Sequence, residues 1–77
     1  MSRTFQDANL LKWEAYASGG PHGYSDEARI VFNCLSDRGR RARVVQVGGD
    51  QSDAERAVAE ATDARLAQLL AGATELR

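Results

Sequence analysis

The spacing of apolar residues changes along this 77-residue chain, and the change limits the folds that it can adopt. Before Gly48-Gly49-Asp50, apolar and polar side chains alternate as in half-buried strands, whereas after Gln51 they recur at helical spacing. Strands followed by helices predict an α+β fold, and the length predicts a single domain over 1–77. We expect a β-β-β-α-α order, in which a small three-stranded antiparallel sheet carries two C-terminal helices packed on one face.

The best-defined strand runs from Arg29 to Leu35, a segment rich in β-branched and aromatic residues. Alternation divides its side chains between two faces, with Ile30, Phe32 and Cys34 on one and Val31, Asn33 and Leu35 on the other. Arg43 to Val47 resumes the alternation after a turn at Gly39, which predicts an antiparallel hairpin with arginines at its tip.

Two structures fit the segment from Leu10 to Ala17. Alternating apolar positions favour a strand, but Leu10, Trp13 and Ala17 also share one face of a helix, which stays the alternative. Residues 1–8 are mixed and polar, and we expect them to be frayed.

Two helices are predicted, over 53–61 and 63–74. Ser52 and Glu55 match a capping box for the first, and Thr62 is the predicted N-cap of the second. The apolar stripes consist of Ala54, Ala57, Val58 and Ala61, then of Leu66, Leu69, Leu70 and Ala73.

The strand at Ile30 to Leu35 is apolar on both faces, yet one helix layer covers only one of them. We therefore expect a homodimer that buries the other face, at Val31, Leu35 and Val44. The alternative is that Trp13 and Tyr16 cover this face within a single chain.

Composition excludes several classes of protein. No apolar run approaches the roughly 18 residues of a membrane span, and no basic-then-apolar leader opens the chain, so we expect no membrane association. A net charge of -1 gives no overall attraction to nucleic acid. The single cysteine, Cys34, excludes an internal disulfide framework and a Cys-rich zinc site, and it indicates a reducing cytoplasm. Arginine is far commoner than lysine, which is typical of a GC-rich bacterial genome.

The candidate catalytic and ligand motifs are weak, so we expect no enzyme activity, no metal and no cofactor. The spacing of His22 and Cys34 is not specific to a nucleophilic pair. The loop at Gly19–Gly23 lacks the P-loop pattern. Carboxylate pairs such as Asp53 and Glu55 lie at helix starts, where acidic residues complement the helix dipole.

An arginine cluster is the most informative feature for function. Four arginines against Asp37 give a net charge of +3 between Asp37 and Arg43. Trp, Tyr and Arg are enriched at binding hot spots. The predicted partner-binding residues are therefore Arg38, Arg40, Arg41, Arg43, Trp13 and Tyr16.

These features favour a small non-catalytic protein-interaction module, adaptor or regulatory in kind, that is homodimeric. One alternative is a small nucleic-acid-binding regulator that uses the same hairpin tip on phosphates. Another is a solvated turn that keeps a sheet edge from aggregating. The segment from Asp50 to Asp63 has a net charge of -4, and no aromatic residues are interleaved with the arginines. Both observations weigh against nucleic acid.

Overall fold

The computed structural model describes residues 2–18 and 28–75, which form an antiparallel sheet and two helices. The elements are β1 (Ser2–Gln6), β2 (Lys12–Ser18), β3 (Arg29–Cys34), β4 (Arg43–Gln46), α1 (Gln51–Glu60), α2 (Asp63–Ala71) and β5 (Thr74–Glu75). The strand order in the sheet is β1-β2-β3-β4-β5. The predicted α+β fold with an antiparallel sheet and two helices is confirmed, but the sheet has five strands instead of three.

The two strands that the sequence analysis missed lie at the edges of the sheet. β1 pairs with β2, so the prediction that residues 1–8 are frayed is wrong for Ser2–Gln6. Phe5 is buried beneath the helices, where its ring meets that of Phe32 edge-on at a centroid distance of 5.9 Å. β5 pairs with β4 over two residues only, which is too short for a readable pattern.

β2 settles the choice between strand and helix that the sequence left open. Trp13 lies opposite Cys34 and Ala15 lies opposite Phe32 in the antiparallel register. Trp13 and Ala15 are both buried, as the alternation predicts. The strand prediction is confirmed, with bounds at Lys12–Ser18.

The helices cover one face of the sheet and enclose the core. That core contains Phe5, Trp13, Ala15, Ile30, Phe32, Cys34, Val58, Leu66, Leu70 and Ala73. The predicted division of β3 between two faces is therefore confirmed. α1 has 10 residues and α2 has 9, against about 20 for a membrane span. Within residues 2–18 and 28–75, no helix is long and apolar enough to cross a bilayer.

α1 begins two residues earlier than predicted, because its N-cap is Asp50. The Asp50 carboxylate accepts a hydrogen bond from the Asp53 backbone N at 3.0 Å, and the Asp53 carboxylate accepts one from the Asp50 backbone N at 3.1 Å. The capping box predicted for Ser52 and Glu55 is therefore wrong. Gly49 explains why the helix begins earlier. Its φ of 76° is a left-handed turn conformation, so the chain turns directly before Asp50 and the helix begins there.

α2 begins as predicted and ends early. The Thr62 Oγ1 accepts a hydrogen bond from the Arg65 backbone N at 3.1 Å, which confirms Thr62 as the N-cap. The helix stops at Ala71 and not at Thr74, because Thr74 belongs to β5.

The face of the sheet away from the helices carries the apolar residues that we expect in a dimer interface. Tyr16, Val31 and Val44 lie side by side across three strands on this face. Val31 is only 6% exposed, Val44 is half-buried, and Leu35 is 48% exposed just beyond β3. The alternative to a dimer is that Trp13 and Tyr16 of the same chain cover this face. Tyr16 lies on this face, but Trp13 lies on the other. In the described chain, this face is thus partly covered at Tyr16 and Val44 and buried at Val31, and the homodimer at this face stays a prediction.

Arg3 joins β1 to the junction of the two helices. Its Nη1 donates to the carbonyl oxygens of Val58, Ala59 and Ala61 at 3.1, 3.2 and 2.9 Å. Its Nη2 donates to the Asp63 Oδ1 at 3.0 Å. The last carbonyls of a helix lack intrahelical partners and carry a partial negative charge. Arg3 supplies both donors and a positive charge there, so it fixes α1 and α2 against the edge of the sheet.

We expect Arg3→Ala to lower the free energy of unfolding by about 1–3 kcal/mol, because charge-assisted hydrogen bonds to the helix end are lost. Arg3→Lys should recover only part of the loss, since an ammonium cannot reproduce the guanidinium fork. Urea unfolding followed by circular dichroism measures both effects. Ser2→Ala, in the same strand, is the control and should change stability by less than about 0.5 kcal/mol. Equal losses for Arg3→Ala and Ser2→Ala would contradict the role given to Arg3.

Candidate interaction site

Residues 35–42 connect β3 to β4 at one end of the sheet, and we call this connection the arginine loop. Asp37 shapes its turn: the Asp37 Oδ1 accepts from the Gly39 backbone N at 3.1 Å, and the Asp37 carbonyl accepts from the Arg40 backbone N at 3.1 Å. Such side-chain-to-backbone bonds are typical of aspartate-led turns. The turn therefore has a defined backbone on which the arginines are displayed.

Arg38, Arg40 and Arg41 are exposed in the arginine loop, and Arg43 is half-buried at the start of β4. The Arg40 Nε lies 3.8 Å from the Asp37 Oδ2, with both side chains about half exposed. An ion pair of this kind contributes little to stability. Within the described parts of the chain, Arg38, Arg41 and Arg43 form no ion pair. Among the described residues, ion pairs thus compensate little of the positive charge of the arginine loop.

Trp13 does not form the exposed contact that the sequence analysis assigned to it. Its side chain belongs to the core and the residue is 2% exposed. The indole Nε1 donates to the Asp7 Oδ2 at 2.8 Å. The prediction that Trp13 contacts a partner from the exposed surface is therefore wrong. Trp13 instead anchors the core, which is the commoner role of a single tryptophan in a small domain.

Tyr16 lies away from the arginines. It pairs with Val31 on the face opposite the helices, while the helix face holds Trp13. The structure therefore brings together Arg40, Arg43 and the buried Trp13, and it leaves Tyr16 out of the group.

Asp7 is the site residue that sequence reasoning missed. Its Oδ1 accepts from the backbone N of Asn9 at 2.8 Å and from that of Leu11 at 3.0 Å, while its Oδ2 accepts from Trp13. The turn between β1 and β2 is built around this carboxylate, and Leu10 adopts a φ of 67° within it. Aspartate and asparagine close together are typical of turns, but Asp7 falls in the segment 1–8 that the sequence predicts to be frayed.

The environment of Asp7 favours its charged form. Burial acts to raise the pKa of the carboxyl group, but the hydrogen bonds from Trp13, Leu11 and Asn9 and the positive charge of Arg40 lower it, and the net pKa is below the ordinary value of 3.8. Hydrogen bonds to a carboxylate and a nearby cation both stabilise the ionised state. Asp7 is thus a carboxylate at neutral pH.

A cleft of about 230 Å³ separates the turn between β1 and β2 from the arginine loop and from the end of α2. Its lining includes Asp7, Leu11, Arg40, Arg43 and Leu70. A second cleft of about 290 Å³ adjoins it and shares Arg40 and Arg43. The two arginines therefore stand between two concave surfaces.

The other chemical candidates from the sequence are distributed through the fold. Cys34 is 8% exposed on the core face of β3, which fits a buried structural thiol. His22 and the loop at Gly19–Gly23 lie outside the described residues. In residues 2–18 and 28–75, no three His, Cys, Asp or Glu side chains converge as metal ligands would.

Comparison of the chain with protein-family models, with curated proteins and with solved structures gives no match.

We expect Asp7→Asn to destabilise the fold by about 1–3 kcal/mol near neutral pH, because the amide NH₂ would face the Trp13 N–H donor. The folded pKa of Asp7 is lowered, so its contribution to stability is full above the unfolded pKa near 3.8 and is lost as pH falls through the folded pKa. The stability difference between wild type and Asp7→Asn should therefore shrink below about pH 4.

Urea unfolding at neutral and acidic pH tests this expectation. Asn9→Ala, in the same turn, is the control because it removes no titratable group. A difference between wild type and Asp7→Asn that is as large in acid as at neutral pH would show that the charge of Asp7 does not hold the turn.

Proposed function

We propose that this chain is a small, non-catalytic, cytoplasmic protein-interaction module whose arginine loop binds carboxylate-rich protein surfaces. The observation that carries the proposal is the exposure of Arg38, Arg40 and Arg41 at one end of the sheet, with a single weak ion pair among the residues that the structure describes. Guanidinium groups bind carboxylates in a bidentate geometry that lysine cannot match. The burial of Cys34, the one nucleophile that the sequence suggested, supports a role without catalysis.

Part of the negative charge lies at the end of the sheet opposite the arginine loop, because α1 begins there with Asp50 and Asp53. Asp63 instead bonds to Arg3, which lies in the same row of the sheet as Arg43. The arginine loop lies at the Arg43 end of β4, whereas α1 follows the other end, where the Val47 backbone N bonds to the Ala28 carbonyl. The stretch from Asp50 to Asp63 carries five carboxylates and only one arginine. Positive and negative patches that face each other steer and orient association.

This charge distribution supports self-association as a homodimer. In an antiparallel two-fold arrangement, the arginine loop of each copy faces α1 of the other copy, and both ends of the molecule pair at once. The exposed residues of α1 include Asp53, Glu55 and Glu60. A charged interface also agrees with the burial of Val31, at the centre of the open face of the sheet, within one chain.

The aromatic residues favour a protein partner over a nucleic acid. Proteins that bind single strands stack bases on exposed aromatic rings next to their basic residues. Trp13 is buried and hydrogen-bonded to Asp7, and Tyr16 lies on the other face of the sheet. The described residues therefore offer no stacking platform beside the arginine loop.

Labelled poly-L-glutamate and a duplex DNA of matched charge test the choice of partner. We expect poly-L-glutamate to bind more tightly, and we expect Arg38→Gln with Arg41→Gln to weaken that binding about tenfold or more, because two charge-assisted contacts are lost. Arg56→Gln with Arg65→Gln is the control, with the same change in net charge. Tighter binding of DNA would favour the nucleic-acid regulator, and the absence of any binding at low salt would contradict both functions.

Light scattering behind a sizing column tests the homodimer. We expect a dimer at about 0.1 M salt and a monomer at about 1 M salt, because screening weakens exposed charge pairs. Arg38→Glu with Arg41→Glu should be monomeric at both salts, while Arg65→Glu should behave like wild type. A dimer that persists at high salt would require an apolar interface, and a monomer throughout would contradict self-association.

A further inference from the structure

The cleft beside the arginine loop is small and has a defined shape. Its volume of about 230 Å³ lies below the roughly 300–1,000 Å³ of pockets that hold drug-sized ligands. The turn held by Asp7 forms one side, the arginine loop forms another, and α2 closes the third with Leu70 and Ala71. A ligand group of only a few heavy atoms fits such a space.

The walls of the cleft combine two chemistries. Leu11, Leu70 and Ala71 give an apolar surface, and Arg40 and Arg43 give a cationic one. Arg43 is half-buried, and in the described chain its guanidinium donates no side-chain hydrogen bond and forms no ion pair, even though Glu75 is its cross-strand neighbour. With respect to the described residues, its donors are therefore available to a ligand.

The charge of the lining indicates the charge of the ligand. Asp7, Arg40 and Arg43 together carry a net charge of +1. The Asp7 carboxylate accepts from Asn9, Leu11 and Trp13, and no ion pair joins it to Arg40 or Arg43 in the described chain, so it does not occupy the donors of these arginines. One negative charge neutralises the cleft, and a planar carboxylate matches the two parallel N–H groups of a guanidinium.

We propose that this cleft binds a carboxylate attached to a small branched apolar group. The carboxylate lies against Arg43 and Arg40, and the apolar group lies against Leu11 and Leu70. This chemistry has two sources, a free short-chain acid or the C-terminal residue of a peptide. Arg40 is shared with the proposed function, but Arg38 and Arg41 lie outside this cleft and Arg43 lies outside the arginine loop, so the inference does not rest on that function.

The indole N–H of Trp13 is a direct reporter of the cleft. Trp13 is the only tryptophan, it lines the cleft, and its Nε1 bonds to Asp7. We titrate ¹⁵N-labelled protein with N-acetyl-L-leucine, isovalerate and N-acetyl-L-leucinamide and follow the single indole resonance. Saturable shifts are expected with the two carboxylates and not with the uncharged amide.

The two carboxylates distinguish the sources. Binding of N-acetyl-L-leucine about tenfold or more tighter than isovalerate identifies a peptide C-terminus, and equal binding identifies a free acid. Equal shifts with the amide, or no saturable shift with either carboxylate, would overturn the proposal.

Two variants assign the binding to the cleft. Arg43→Gln should weaken N-acetyl-L-leucine binding about tenfold or more, since a bidentate contact is lost. Ala71→Leu keeps every charge and should also weaken binding, because Ala71 is an exposed lining residue and the larger side chain fills the space. Arg56→Gln is the control on α1 and should leave binding unchanged. Circular dichroism verifies that each variant is folded. If Arg43→Gln and Ala71→Leu both bind like wild type, the cleft is not the site, whatever the result with poly-L-glutamate.

Discussion

The carboxylate of Asp7 is the interaction on which the candidate site depends. Its three hydrogen bonds close the turn between β1 and β2, hold the indole of Trp13 in the core and place a negative charge near Arg40. Each hydrogen bond that the carboxylate accepts favours its ionised state. The contacts that hold the backbone of the turn therefore also keep Asp7 negatively charged. This turn returns the chain from β1 to the paired strand β2 and forms one wall of the cleft.

The sequence predicted those parts of the fold that repeat a pattern over many residues. β3 and the two helices each contain several apolar positions at one spacing, and their faces were assigned correctly. β1 has a single buried residue, Phe5, and its other inward side chain is Arg3, so its alternation is hidden. The cap of α1 was misplaced because both Asp50 and Ser52 have an acidic residue three positions later, and only the backbone at Gly49 decides between them.

The sequence predicts the positive charge of the candidate site but not the cleft beside it. The local excess of arginine is a property of the sequence, and the structure exposes Arg38, Arg40 and Arg41 together. Trp13 and Tyr16 are three residues apart, and on a strand that spacing places them on opposite faces. The cleft lies between the turn that joins β1 to β2 and the end of α2. These two segments are about 60 residues apart in the chain, so no local sequence pattern predicts that they lie close together.

Arg3 has a consequence for how this sheet meets other chains. An edge strand presents unpaired N–H and C=O groups that template cross-chain pairing, and an inward-pointing charged residue is one protection against this. Arg3 is the second residue of β1, and its inward-pointing guanidinium is hydrogen-bonded to the end of α1, so a strand added at this edge would enclose a cation that is already bound to the helices. At the opposite edge, the described chain offers the two residues of β5 and the part of β4 beyond them, Val45 and Gln46. These short edges and the inward-pointing Arg3 disfavour growth by strand addition, the route to fibrils, and leave the ends and the open face of the sheet for recognition.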